Sequence, residues 1–502
     1  MEFIDGLVAS LTFTNLLFGI LGSILGTLIG VLPGIGPALA ISLLLPITFT
    51  LEPTSALIMF AAIYYGAMYG GSTTSILLNA PGESGSVMTT IEGNKMARAG
   101  RAGPALATAA IGSFFAGAVA TGLLAVGAPF IADLGLRLTP ADFFALMVLA
   151  LGTISAVMGT SIARGITSLA VGLAIGLVGM DVLSGAQRLT FGNAYALDGI
   201  STVIVIVSLF AVGEALYVAF KGRFGEAKVI KFKGRAWMTK EDWSRSWRPW
   251  VRGTALGFPL GVLPAGGSEL PTFLSYNVEK KMAEKKNQGK SEFGKGAIEG
   301  VAGPEAANNA NAAGALVPLL ALGIPTSATA AVMLSSFEQF NLQPGPLLFT
   351  EQSALVWTLI GALFIGNALL LLINLPLIGM WVKLLKIPPP YLYAGVLTFA
   401  MLGAYAVAGN TFGMSIAIAV GILGLLFRRY GYPITPLILG VVIGPMAELQ
   451  LRRAVQISNG DYMTLIEKPF SVVIYLFLIF GLVVSKLWPQ IRKRLKATAK
   501  TK

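Results

Sequence analysis

The chain has 502 residues, of which 55% are hydrophobic and only 12% charged, with a net charge of +12. A soluble protein of this length carries about twice that charge, so the composition predicts an all-α polytopic membrane protein rather than a soluble globular fold. Cysteine and histidine are both absent, which excludes disulfides, thiolate metal sites and the side chain best suited to proton transfer near neutral pH.

The elements follow in chain order. No basic n-region precedes the first apolar stretch, so no cleaved signal peptide is expected. No Lys or Arg occurs before Lys95, which predicts an N-terminus outside the cytoplasm. Segments 11–32 and 38–50 read as a re-entrant hairpin, entered from outside and broken at Gly30-Val31-Leu32-Pro33-Gly34-Ile35-Gly36-Pro37. Segment 55–80 reads as a broken helix, with Gly70-Gly71-Ser72-Thr73-Thr74-Ser75 at the break. It leads to the first basic loop, with Lys95, Arg98 and Arg101. Spans near 104–130, 141–162, 165–181 and 199–220 complete a first half over 1–220.

Residues 221–252 carry ten Lys/Arg against three acids and read as a cytoplasmic linker. Trp243, Trp247 and Trp250 share a helical face there, with Arg245, Arg248 and Arg252 nearby, as in a helix lying on the membrane interface. The second half, 253–447, opens with the same four letters, Gly261-Val262-Leu263-Pro264, running into Ala265-Gly266-Gly267-Ser268. Basic loops flank 253–277 on both sides, so this segment also reads as a hairpin, entered from inside. Segment 304–340 is too long for one straight span and is expected to break at Gly323-Ile324-Pro325-Thr326-Ser327-Ala328-Thr329. Spans near 353–380, 391–408, 411–427 and 433–447 follow. A C-terminal region, 448–502, holds a last helix and a tail with seven basic residues and no acid from Lys486 on, which predicts a cytoplasmic C-terminus. Arg452 and Arg453 fall outside in this scheme, against the charge rule.

The expected architecture is an inverted repeat of two halves, with about 11 crossings and two hairpins. Helix breaks at membrane depth are tolerated where backbone lines a cavity, and matched breaks mark the binding site of a transporter. The candidate substrate-binding residues are Gly34, Gly36, Ser72, Thr73, Thr74 and Asn79 in the first half. Their counterparts in the second are Gly266, Gly267, Ser268, Thr326, Ser327 and Thr329. A kink with back-bonded hydroxyls would give the same letters at any single break. Pro304 suits a first helical turn. Beyond it Glu305, Asn308 and Asn309 share a face and, with Glu269, are candidates for ion coupling. An interfacial helix start is the other reading of Glu305. No catalytic pair, nucleotide loop or zinc spacing is present, so no enzyme activity and no organic cofactor are expected.

These stretches resemble the large membrane subunit of the tripartite tricarboxylate transporters, the TctA family. The likeness is carried by residues 30–37, 64–74, 79–83 (Asn79-Ala80-Pro81-Gly82-Glu83), 261–267, 303–309 and 342–346. It implies a permease of the bacterial inner membrane that imports an organic di- or tricarboxylate on a Na⁺ or H⁺ gradient. It also implies two partners, a small four-helix membrane subunit and a periplasmic solute-binding protein. A fold-level likeness to sodium–dicarboxylate symporters suggests an elevator-type motion and a homodimeric scaffold. A passive carboxylate channel is the alternative reading.

Overall fold

The computed structural model describes residues 2–32, 35–157, 161–181, 183–222, 229–230, 236–264, 267–286, 291–385, 387–481 and 483. The helices, in order, are α1 (Glu2–Ser10), α2 (Phe13–Val31), α3 (Pro37–Leu44), α4 (Pro53–Leu78), α5 (Val87–Arg98), α6 (Ala102–Gly135), α7 (Pro140–Val157) and α8 (Ile162–Gly176). A short ribbon, β1 (Gly179–Met180) with β2 (Gln187–Arg188), precedes α9 (Thr202–Val207), which a π-turn joins to α10 (Gly213–Lys221). Then come α11 (Lys240–Val262), α12 (Glu269–Lys286), α13 (Glu299–Leu322), α14 (Ala328–Gln339), α15 (Leu348–Glu351), α16 (Ser353–Asn374) and α17 (Ile378–Leu384). The series ends with α18 (Pro389–Ala408), α19 (Thr411–Tyr430), α20 (Ile434–Ile457) and α21 (Thr464–Glu467). Among the described residues, seven helices are long and apolar enough to cross a membrane.

The chain forms two compact units that cut across the division into consecutive halves. One unit is 1–136 with 200–430; the other is 137–199 with 431–502. In the larger unit, α4 and α13 are the central helices. Every residue of α4 from Ser55 to Leu77 is buried, and every residue of α13 from Gly300 to Ala321. A helix without a solvent or lipid face has no amphipathic stripe, and neither sequence shows one.

Each central helix packs against one helix that ends in the repeated tetrapeptide, α4 against α2 and α13 against α11, and the two contacts are built alike. Gly22, Gly26 and Gly30 of α2 sit on the carbonyls of Met59, Ile63 and Ala67 of α4. Gly253, Gly257 and Gly261 of α11 sit on those of Gly303, Ala307 and Asn311 of α13. A Cβ at any of these glycines would overlap the facing carbonyl. The four-residue spacing is the small-xxx-small pattern that lets helix backbones touch in lipid. Both ladders end in the repeated Gly-Val-Leu-Pro.

Three local expectations are corrected. First, α4 runs unbroken through Gly70–Ser75 and ends at Asn79, which adopts a left-handed conformation at φ 58°. The glycines there serve packing, not unwinding: Gly70 lies against the Thr27 carbonyl of α2. The second break is where the sequence places it, with Gly323 at φ 70° ending α13. The matched breaks are therefore Asn79-Ala80-Pro81 and Gly323-Ile324-Pro325, a left-handed residue followed two positions later by proline. Second, Pro304 lies inside α13, which begins at Glu299. Third, α11 runs through residue 252 without interruption, so the Trp-rich helix and the first arm of the second hairpin are one element. Two of its arginines are paired rather than free. Arg252 is bidentate to Glu279 of α12 at 2.7 and 2.5 Å, and Arg245 pairs with Glu299 at 2.8 and 2.9 Å.

In the smaller unit, α20 packs on α8 through Gly172 and Gly440. Arg188 of the ribbon pairs with Asp181 and Glu448, and Arg452 pairs with the same two acids. Both arginines are thus paired with acids.

Candidate functional site

The two breaks of the larger unit reach the middle of the opposite central helix. After the first break, Glu83 turns its side chain onto Asn308 of α13. The Asn308 Nδ2 group donates to Glu83 Oε1 at 2.7 Å, and the Gly85 N–H donates to Glu83 Oε2 at 3.0 Å. After the second break, Ser327 is hydrogen-bonded to Tyr64 of α4. Glu83 and Ser327 occupy the same place in their breaks, four residues past the left-handed residue. Each accepts an N–H from the turn that follows it; Ser327 takes that of Ala330 at 3.1 Å. Both short helices beyond the breaks, α5 and α14, thus start at the site and direct the positive ends of their dipoles toward it.

Glu305 lies one turn before Asn308 and is fully buried. Ser72 of α4 donates to its Oε2 at 2.5 Å, and Thr89 of α5 donates to its Oε1. Asn309 Nδ2 donates to Ser113 Oγ at 2.7 Å and to the Glu305 carbonyl at 3.0 Å. Glu269, at the start of α12, is hydrogen-bonded to Ser84. Glu83 lies within electrostatic reach of both Glu305 and Glu269. Among the described residues no Lys or Arg forms an ion pair with any of the three, whereas Glu279 of α12 and Glu299 of α13 are so paired. Removing a carboxylate from water costs several kcal/mol unless a partner or proton compensates.

The partners of the two central acids differ in kind. Those of Glu83 are N–H groups, which only donate and suit an ionised carboxylate. Those of Glu305 are hydroxyls, which donate or accept and suit either protonation state.

The other sequence-singled residues divide into two groups. Thr74 donates to the Val31 carbonyl, and Thr326 to the Gly261 carbonyl at 3.0 Å. The two hydroxyls satisfy the last turns of α2 and α11, where carbonyls lack intrahelical donors. Thr73 and Thr329 are buried. Asn79 supplies the left-handed turn. Gly36 precedes α3 with open space around it, and Gly267, at φ 89°, lies beside Ser327. Gly34 and Gly266 lie outside the described residues. Ser268 abuts Gly85 together with Asn308: a Cβ on Gly85 would collide with Ser268 Oγ and Asn308 Oδ1.

Sequence reasoning passed over Glu83, Thr89 and Tyr64. The pairing of Asn79-x-Pro81 with Gly323-x-Pro325 is the signal that finds Glu83, because it aligns that acid with Ser327. It also passed over Glu92, a buried acid of α5. Glu92 accepts Tyr276 Oη at 2.9 Å and the backbone N–H groups of Gly294, Gly296 and Ala297 at 2.5, 2.8 and 3.1 Å. It fastens α5 to the segment that leads into α13.

The chain is 46% identical over 491 residues to an uncharacterized 52.8 kDa protein in the TAR-I ttuC′ 3′ region of Agrobacterium vitis, covering 97% of this chain and 96% of that one. It is 45% identical over 238 residues to an uncharacterized protein in the TAR-II ttuC′ 3′ region of the same organism, covering 47% of this chain and 96% of that one. No solved structure matches. The family model described as the tripartite tricarboxylate transporter TctA family matches residues 16–439, and the chain belongs to that family of membrane transporter components.

Proposed function

We propose that this chain is the permease subunit of a binding-protein-dependent secondary transporter that imports an organic di- or tricarboxylate by alternating access on a cation gradient. One observation carries the reading. Two helix breaks meet in the buried centre of the larger unit, around carboxylates that have no basic partner among the described residues. An intramembrane acid without a counter-charge marks an ion pathway.

The chemistry divides between the breaks. At the first, the Glu83 carboxylate already occupies the N-terminus of the following turn, leaving that side suited to a cation. At the second, Ser327 leaves the start of α14 uncharged, and its free N–H groups and dipole suit a substrate carboxylate. Cation and anion then bind as neighbours, each reducing the desolvation cost of the other. The matched glycine ladders, breaks and caps support an inverted repeat with the hairpins as the moving elements. Contacts between distant segments fit the proposed sidedness: Lys95 donates to the Gly294 carbonyl, Arg101 pairs with Asp242, and Trp357 donates to Glu2. The remaining parts of the reading are an inner-membrane location, a periplasmic N-terminus, a small membrane subunit, a periplasmic binding protein and a homodimeric scaffold.

The test is uptake of labelled di- and tricarboxylates into cells carrying the complete system. Imposed Na⁺ and H⁺ gradients are dissipated one at a time. Accumulation above the outside concentration that collapses with one gradient is the expected result. Equilibration that ignores both gradients would make the chain a channel.

A further inference from the structure

We infer that Glu83, the side-chain oxygen of Asn308 and the hydroxyl of Ser268 hold one dehydrated monovalent cation of sodium size. This deepens the transport reading and depends on it only for the cation's role in uptake.

The motive is an orphaned acceptor. Asn308 is fully buried, and its Oδ1 has no hydrogen-bond partner among the described residues. A buried carbonyl oxygen left unpaired costs about 1–3 kcal/mol, and such an atom calls for an unseen donor or ion. Its orientation is not free. Asn308 Nδ2 donates to Glu83 Oε1, so a flipped amide would set oxygen against carboxylate. Glu83 thereby turns Oδ1 toward Gly85 and Ser268. Gly85 ties the set together: its N–H holds Glu83 Oε2, while the space beside its Cα is taken by Asn308 Oδ1 and Ser268 Oγ.

Charge and ligand type name the occupant. All three donors are oxygens, the set preferred by hard cations. Glu83 supplies one negative charge in the ionised form that its N–H donors suit, with no Lys or Arg paired to it among the described residues. One charge with two neutral oxygens balances a monovalent ion. A divalent ion such as Ca²⁺ takes six to eight oxygens, commonly from several carboxylates. Glu305, whose hydroxyl partners accept either protonation state, need not ligate.

The experiment measures binding without transport. The full chain in lipid nanodiscs is unfolded by heat and followed by tryptophan fluorescence. Sodium chloride is titrated against choline chloride at constant ionic strength. The expected result is a saturable rise in unfolding temperature with Na⁺ alone. Ser268→Ala and Asn308→Ala should each raise the half-saturating Na⁺ concentration about tenfold or more, and Ser268→Thr, which keeps the hydroxyl, should restore it. If Asn308→Ala fails to fold, the Ser268 pair decides alone. Equal stabilisation by choline, or an unchanged midpoint in Ser268→Ala, overturns the site. Uptake separates the two readings. Na⁺ stabilisation with uptake blind to Na⁺ keeps the site and removes the coupling. Na⁺-driven uptake without stabilisation does the reverse.

Discussion

The two breaks share a backbone and differ in chemistry. Each has a left-handed residue, a proline two positions on, a cap two positions further, and a short helix that starts at the site. At the first break the cap is the acid Glu83 against an amide; at the second it is the hydroxyl of Ser327 against Tyr64. One frame thus offers a charged position and a neutral one. The difference teaches that a repeated scaffold fixes where ligands meet, while single residues on it decide which ligand each side takes.

The sharpest way to break this comparison is to remove the two caps in turn. Glu83→Gln keeps the shape and deletes the charge. It should cut uptake about 100-fold or more, since a buried charge-assisted site is worth several kcal/mol. Ser327→Ala removes a neutral cap worth about 1 kcal/mol and should cut uptake by less than about tenfold. Initial rates of labelled carboxylate uptake, normalised to membrane expression, decide. Equal losses would erase the division of roles.

A smaller contrast lies one residue earlier. Gly82 and Thr326 face the carbonyls of Gly30 and Gly261, the matched ends of the two ladders. At Gly82 the backbone itself approaches and leaves no room for a Cβ. At Thr326 a hydroxyl fills the gap. Gly82→Val should destabilise by about 3 kcal/mol through overpacking, and Thr326→Ala by about 1 kcal/mol for one lost hydrogen bond. Unfolding temperatures in detergent measure both. A Gly82→Val protein as stable as Thr326→Ala would mean that the two breaks do not superpose as described.

The same residues explain what the sequence discloses. The second break is legible because Gly323 and Pro325 are strong breakers in a segment too long for one span. The first is misplaced because Gly70-Gly71 reads as a breaker pair. In a helix buried on all sides glycine instead permits close approach, and nothing local distinguishes the two uses. The glycine ladders are fully present in the letters at 22, 26, 30 and 253, 257, 261, yet only their last members stand out, because the identical tetrapeptide draws the eye. The role of Glu83 is hidden for a different reason. It depends on Asn308, more than two hundred positions away, and no local pattern encodes that pairing. The smaller unit is hidden likewise, since it joins 137–199 with 431–502.

A milder test uses the smaller unit, where Asp181 and Glu448 have the arginines that Glu83 lacks among the described residues. The Ser184 N–H, donating at 2.7 Å, with the Leu183 N–H and Arg188, holds the Asp181 carboxyl down at about 2, against about 3.9 for a free Asp. A depressed folded-state pKa stabilises above the unfolded value and loses that effect as pH falls through the folded one. Asp181 should therefore contribute no pH dependence between pH 8 and 5, and a loss of stability from about pH 4 toward 2. Unfolding temperature against pH, with Asp181→Asn as reference, tests this. A wild-type advantage that faded already near pH 6 would place the stabilisation elsewhere.

The smallest perturbation asks whether the two hairpins enter from opposite sides, on which the inverted repeat depends. The chain has no native cysteine, so single cysteines report without background. The probes must sit at matched places, before the first arm of each hairpin, and must not disturb packing. Gly6 is unsuitable, because a Cβ there would overlap the Trp357 backbone. Leu11, 52% exposed just before α2, and Glu241, 78% exposed at the start of α11, meet both conditions. Exposed substitutions of this kind change stability by about 0.5 kcal/mol or less, so uptake should be unaffected. A membrane-impermeant maleimide added to intact cells should label Leu11→Cys and spare Glu241→Cys until the membrane is opened. Labelling of both, or of neither, would put the hairpins on one side. The matched breaks would then be related by a parallel repeat, and α5 and α14 would approach the site from the same direction.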